Sequence, residues 1–109
     1  MDDLKQVFSF EGKDYTVERL WEETKDFIVH ECHPGRFLSQ LETSRWGYVT
    51  GLDLLTHINR VMHADMSYPI ILDNKGNIVD GLHRVCKAFM HRHESIMFVQ
   101  YEEEIEPDG

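Results

Sequence analysis

One continuous stretch, PIILDNKGNIVDGLHRVCKAF at residues 69–89, constrains the fold more than any other part of the chain. Its opening apolar run predicts a buried strand, and the Asn-Lys-Gly that follows is a typical turn sequence. The sequence NIVD at 77–80 predicts a short returning strand. Apolar residues then recur at the spacing of one helix face, which predicts a helix packed on the sheet through that stripe: Leu82, Val85, Cys86 and Phe89.

The elements before this unit are shorter or less regular. The sequence VFSFEGKDYTV at 7–17 predicts a β-hairpin, and VERLWEETKDFIV at 17–29 predicts an amphipathic helix that ends before the loop HECHPGR. The segment FLSQLE at 37–42 favours a short helical turn. The segment TSRWGYVT at 43–50 is interpreted as a loop that docks Trp46 on the core.

A second long helix is predicted to begin at Thr50, where Asp53 three residues later forms an imperfect capping box. Four apolar residues are assigned to its buried side: Leu52, Leu55, Val61 and Met62. The sequence ESIMFVQY at 94–101 predicts the last strand. This order of elements favours an α+β fold, a single domain over residues 1–101 whose small mixed sheet has helices packed on one side. An acidic C-terminal tail is expected at 102–109.

Charge and composition disfavour several classes of function. The chain has 109 residues and a formal net charge of −9, from 11 basic and 20 acidic side chains. Direct binding of duplex DNA is not expected, because it normally requires a basic face. The apolar runs are too short to cross a membrane, and the acidic start MDDLKQ differs from a signal peptide. The two cysteines fit a reduced compartment, so a cytoplasmic location is expected.

Positive groups gather at the start of the helix predicted after residue 80. The first amides of a helix have no partner within it and carry a partial positive charge. His83, Arg84 and Lys87 lie off the apolar stripe, Asp80 is expected as the N-cap, and Gly81 allows a close approach to the backbone. This pattern predicts a phosphate site in which Arg84 grips the anion bidentately and Lys87 adds a charge.

An equally consistent interpretation needs no ligand. Asp80 would then only cap the helix, whereas in the phosphate site it could hold Arg84 or a metal ion. Arg84 and Lys87 would be solvated surface charges that pair with the many glutamates of the chain.

The segment 69–89 resembles the ParB/sulfiredoxin superfamily, in which a Pro-Ile strand, a turn and a DGxHR-type motif lead into a helix. The matching residues are Pro69-Ile70, Asp80-Gly81 and His83-Arg84, and the resemblance extends over residues 51–101. It implies a ParB/sulfiredoxin-like fold that handles nucleotides, with CTP or ATP and Mg²⁺ as cofactors. By the same resemblance, Gly81, His83 and Arg84 are expected to contact phosphate.

Two departures from the superfamily narrow the expectation. Sulfiredoxin chemistry needs a cysteine directly before the His-Arg pair, and this chain has Leu82 there. ParB itself carries a DNA-reading helix-turn-helix after this domain, whereas here the sequence continues into EEEIEPDG. Sulfiredoxin activity and a partition clamp are therefore both disfavoured.

The helix before the Pro-Ile strand is expected to supply a second wall of the site. His57 and Arg60 lie on one face of it and are candidate phosphate contacts. Asp65 is a candidate general base or Mg²⁺ ligand, and Asp80 a second candidate carboxylate. The alternative for Asp65 is a turn residue that bonds backbone amides. The histidine-containing sequences HECH and HRH form no closed zinc pattern, so no metal site is assigned to them.

Two functions from different classes follow. The first is a nucleotide- or phosphate-binding domain, with NTPase or small-molecule kinase activity left open and a nucleotide or phosphorylated small molecule as partner. The second is a non-catalytic acidic interaction or regulatory module, bacterial or phage-encoded, that keeps the fold and either engages a basic protein or imitates the charge of nucleic acid. Dimerisation that completes the site is a further open alternative.

Overall fold

A computed structural model of the chain describes residues 7–10, 13–42 and 50–107. Six strands lie in this part of the chain: β1 Val7–Phe10, β2 Lys13–Thr16, β3 His30–Cys32, β4 Ile70–Leu72, β5 Ile78–Asp80 and β6 Ile96–Gln100. Four α-helices are present in the same residues: α1 Val17–Thr24, α2 Leu38–Leu41, α3 Gly51–Met62 and α4 Leu82–Met90. A 3₁₀ turn, Pro34–Phe37, leads into α2.

The larger sheet has the strand order β3-β6-β4-β5. β6 is antiparallel to β3 and parallel to β4, and β4 is antiparallel to β5, so the sheet is mixed. β1 and β2 form a separate antiparallel hairpin. The α+β class, the mixed sheet and the predicted hairpin are confirmed.

Side chains alternate along the central strands, so the sheet has two buried faces. On one face, Ile70, Leu72 and Ile78 pack with Val85 and Ala88 of α4. On the other, alternate strand residues pack with an α1 residue and a C-terminal residue: Ile71, Val79 and Val99 with Leu20 and Ile105. The prediction of helices on one side is wrong, because α1 covers the face opposite to α4.

The predicted first helix is too long. α1 ends at Thr24, whose hydroxyl donates to the Leu20 carbonyl. The chain then enters β3, a strand in a segment that was predicted to be a loop. Short serine or threonine back-bonds of this kind weaken a helix interior. Phe27 leaves the helical pattern and packs edge-to-face on Tyr101, at 5.4 Å between ring centroids.

Helix α3 begins as predicted, with both hydrogen bonds of a Thr50–Asp53 capping box present. Its predicted buried side is wrong in three positions: Val61 is buried, but Leu52, Leu55 and Met62 are 78%, 62% and 60% exposed. The helix packs against α4. Contact with one neighbour buries only a narrow stripe of a helix, and the rest of the apolar side is left uncovered in the described part of the chain.

The segment after β6 returns to the domain. Ile105 is only 5% exposed, and Arg19 donates to the carbonyl of Glu106. Residues 102–107, predicted as the start of a tail, are thus packed on α1 at these two points. The predicted docking of Trp46 lies outside the described residues. None of the helices in the described ranges has the length and apolar character needed to cross a membrane.

Candidate functional site

The start of α4 is built on a glycine. Gly81, rather than the predicted Asp80, is the N-cap residue, and it has a φ of +103°. A Cβ at this position would lie 2.6 Å from Ile70 Cγ2, so the group that comes close to the backbone is a side chain of β4. Gly81 has no side chain with which to cap the first turn of α4, whereas α3 has a complete capping box.

Asp80 lies at the end of β5 and joins three elements. Its Oδ2 accepts a hydrogen bond from Trp21 Nε1 of α1 at 2.8 Å and one from Arg84 of α4 at 2.9 Å. The side chains of Arg84 and Asp80 are 13% and 11% exposed, so this ion pair is largely buried. Asp80 therefore holds Arg84, which was one of the alternatives left open by the sequence. Trp21 is a partner that sequence reasoning missed, because nothing in its local pattern points to a residue 59 positions away.

The two cations of α4 have backbone partners in the connection between α3 and β4. A terminal nitrogen of Arg84 donates to the carbonyls of Tyr68 and Pro69, at 3.0 and 2.8 Å. Lys87 Nζ donates to the carbonyls of Met62 and Ala64, at 3.1 and 2.9 Å. If Arg84 and Lys87 bound phosphate as predicted, several of these hydrogen bonds would have to break. In this structure the two side chains hold the α3–β4 connection against α4.

His57 of α3 and His83 of α4 do meet, as the prediction of a second wall requires. Their Nδ1 and Nε2 atoms are 2.9 Å apart, and the rings stack with centroids at 5.2 Å. Burial, together with the nearby His57 and Arg60, lowers the pKa of His83 to about 4. Burial and Arg60 also lower the pKa of His57. Both imidazoles are therefore mainly neutral at pH 7, with the exposed Arg60 guanidinium close by.

Asp65 adopts the turn role that was the alternative to catalysis. Its Oδ1 accepts from the Ser67 amide at 2.9 Å and from the Ser67 hydroxyl at 2.6 Å. These bonds hold the pKa of Asp65 below its ordinary value. A carboxylate stabilised in its charged form is a weaker general base.

The cysteines are poorly placed for nucleophilic chemistry. Burial raises the pKa of the Cys86 thiol, and burial likewise raises that of Cys32. The protonated thiol is the unreactive form. In the described ranges, no group of three or more histidine, cysteine or carboxylate side chains is arranged to hold a metal ion.

Comparisons of the chain with family models, curated proteins and solved structures find no match.

Proposed function

We propose that the start of α4 binds a phosphate group of a nucleotide or of another phosphorylated small molecule. The observation that carries the proposal is the pairing of His57 with His83 beside the first turn of α4, whose N-cap residue Gly81 offers no capping side chain. Amides at a helix start favour anions, because their donors are unpaired within the helix and the macrodipole is positive there.

Arg60 supplies the cation in this arrangement. Its charge lowers the pKa of both histidines, so Arg60 lies close to the histidine pair. Arg84 and Lys87 contribute to the positive potential while they keep their backbone partners. An incoming phosphate would stabilise imidazolium over imidazole, so binding is expected to be accompanied by proton uptake at the histidine pair.

The nucleotide is the ligand that the resemblance to the ParB/sulfiredoxin superfamily favours, with CTP or ATP and Mg²⁺ as the first candidates. The proposal concerns binding rather than turnover. Asp65 and Asp80, the two predicted catalytic carboxylates, are engaged by Ser67 and by Trp21 and Arg84. An NTPase or phosphotransferase reaction would need a general base. Either one of these two carboxylates would have to leave its hydrogen-bond partners, or another residue would have to act as the base.

Thermal and calorimetric titrations test the proposal. CTP, ATP, GTP and inorganic phosphate, each with and without Mg²⁺, are titrated into the parent chain and Arg60→Gln. A ligand at 100 times its Kd should add about 2.7 kcal/mol to the stability of the parent. We expect Arg60→Gln to weaken binding about tenfold, in line with the loss of one charged contact.

Lys75→Gln is the matched control, since Lys75 is an exposed cation in the β4–β5 turn. It should keep the parent's affinity. Arg84→Ala would not test phosphate binding cleanly, because it removes the structural bonds to Tyr68, Pro69 and Asp80 together with the charge. Absence of binding by every phosphate ligand, or equal weakening in Lys75→Gln, would contradict the proposal.

A further inference from the structure

A second surface lies at the other end of the sheet. Asp80 pairs with Ile71 near the beginning of β4, so α4 starts at that end. A groove of about 590 Å³ opens where β6 ends, next to the first residue of β3. We call it the β3 groove and define it by six lining residues: Asp26, Phe27, Ile28, Tyr101, Glu102 and Glu103.

The β3 groove combines an aromatic floor with acidic walls. Phe27 and Tyr101 pack edge-to-face and are half-buried, whereas Asp26, Glu102 and Glu103 are exposed. A smaller cavity of about 340 Å³ shares Phe27, Tyr101 and Glu103 and continues toward Glu104 and Glu106. Among the described residues that line the two cavities, Arg19 is the only arginine or lysine, and it pairs with Glu23. Asp26, Glu102 and Glu103 therefore place three acidic side chains around the apolar base of the β3 groove.

His30, the first residue of β3, also lines the groove, so the edge strand of the larger sheet begins beside it. β3 is the terminal strand of the larger sheet, and no strand in the described ranges pairs with its outer edge. Ile28 and Val29, directly before β3, are 76% and 49% exposed. An edge strand offers a row of backbone donors and acceptors to a further extended chain, and adjacent apolar side chains add contact area.

We propose that the β3 groove docks an extended segment of a partner protein that alternates basic and apolar residues. The segment pairs with the edge of β3, places apolar side chains over Phe27 and Ile28, and directs lysine or arginine side chains toward the acidic walls. Tyr101 and Phe27 offer ring faces to these cations.

The negative charge of the β3 groove determines which class of partner can bind there. A nucleic acid is excluded by the acidic walls, and a second copy of this chain carries the same net charge of −9. A basic segment is attracted to the groove over a Debye length and gains contact with its aromatic floor. The β3 groove lies at the opposite end of the sheet from the start of α4, so peptide binding there does not depend on phosphate binding.

Fluorescence anisotropy with short synthetic peptides tests the inference. The probe is a dye-labelled KVKVKVKV peptide, and EVEVEVEV is its counterpart of opposite charge. The parent chain should bind the lysine peptide and not the glutamate peptide. The double variant Glu102→Gln/Glu103→Gln should weaken binding at least tenfold, since it removes two of the three acidic groups of the walls.

Glu42→Gln/Glu94→Gln is the matched control, because it makes the same change in net charge at exposed acids outside both cavities. It should weaken binding less than twofold. Equal weakening by the two double variants would mean general charge attraction and would overturn the proposed groove, as would absence of binding. Amide hydrogen exchange provides a second readout: bound peptide should protect residues 28–32, and binding without that protection would overturn pairing along β3.

Discussion

Arg84 and Lys87 direct their side-chain donors to carbonyls in the connection between α3 and β4. The last carbonyls of a helix lack partners within it, and lysine often bonds them. The place of Arg84 in the first turn of α4 could be predicted from sequence, but Lys87, predicted near the helix start, lies in the last turn because the helix has only nine residues. The acceptors of both side chains could not be predicted, because these lie 15 to 25 positions away and are brought close only by the packing of α3 on α4.

His83 makes the stability of the protein depend on pH in a defined window. Its pKa is about 4 in the folded chain against an ordinary 6.5, so between these values the unfolded chain binds a proton that the folded chain does not. The free energy of unfolding should therefore fall as pH is lowered from about 6.5 to about 4. His57, whose pKa is also lowered, adds to the effect with the same sign.

Denaturant unfolding at pH 7 and pH 4.5 measures this dependence. His83→Gln should show a smaller loss of stability on acidification than the parent. His91→Gln, which removes an exposed histidine at the end of α4, serves as the control. A parent-like loss in His83→Gln would show that His83 is not the source.

At the scale of elements, strong local signals were predicted correctly. β4, β5 and α4 follow from a continuous apolar run, a turn sequence and a helical stripe, and α3 starts at its predicted capping box. β3 was missed because it has only three residues, and its pairing with β6 joins parts of the chain more than 60 positions apart. Such a strand is fixed by tertiary pairing rather than by local preference.

Gly81, at the junction between β5 and α4, can be substituted to test whether the start of this helix requires a glycine. Gly81→Ala places a Cβ against Ile70 and forces a positive φ, so it should lower the free energy of unfolding by about 2–4 kcal/mol. Denaturant unfolding measures the change. The control is Gly51→Ala at the first residue of α3, where a Cβ would meet nothing within 4 Å.

Gly51→Ala should leave stability unchanged or raise it by up to about 1 kcal/mol, because alanine is the better helix former. A change at Gly81 no more destabilising than the change at Gly51 would refute the contact with Ile70 and the positive φ as the constraints on position 81.

At the scale of the whole molecule, the two faces of the sheet are closed by different parts of the chain. α4 covers one face, and α1 with Ile105 covers the other. The sequence supports the α+β class through its alternation of strand and helix signals. It did not reveal the role of Ile105, because a single apolar residue among glutamates has no periodicity to read.

Ile105→Ala should lower the free energy of unfolding by about 2–5 kcal/mol, since it leaves a cavity in the buried cluster that contains Leu20 and Val99. Thermal and denaturant unfolding measure the loss. Glu103→Ala, an exposed neighbour, should change stability by less than about 0.5 kcal/mol. A chain ending at residue 101 should lose at least as much stability as Ile105→Ala, and parent-like stability of that chain would refute the packing role.

The bonds of Arg84 have a consequence for searches that rely on short motifs. Arg84 bonds the α3–β4 connection, and Asp80 and Gly81 of the same DGxHR sequence are accounted for by their contacts with Arg84 and Ile70. In this chain the motif therefore reports how a helix is joined to a sheet, and the sequence match does not by itself report a ligand.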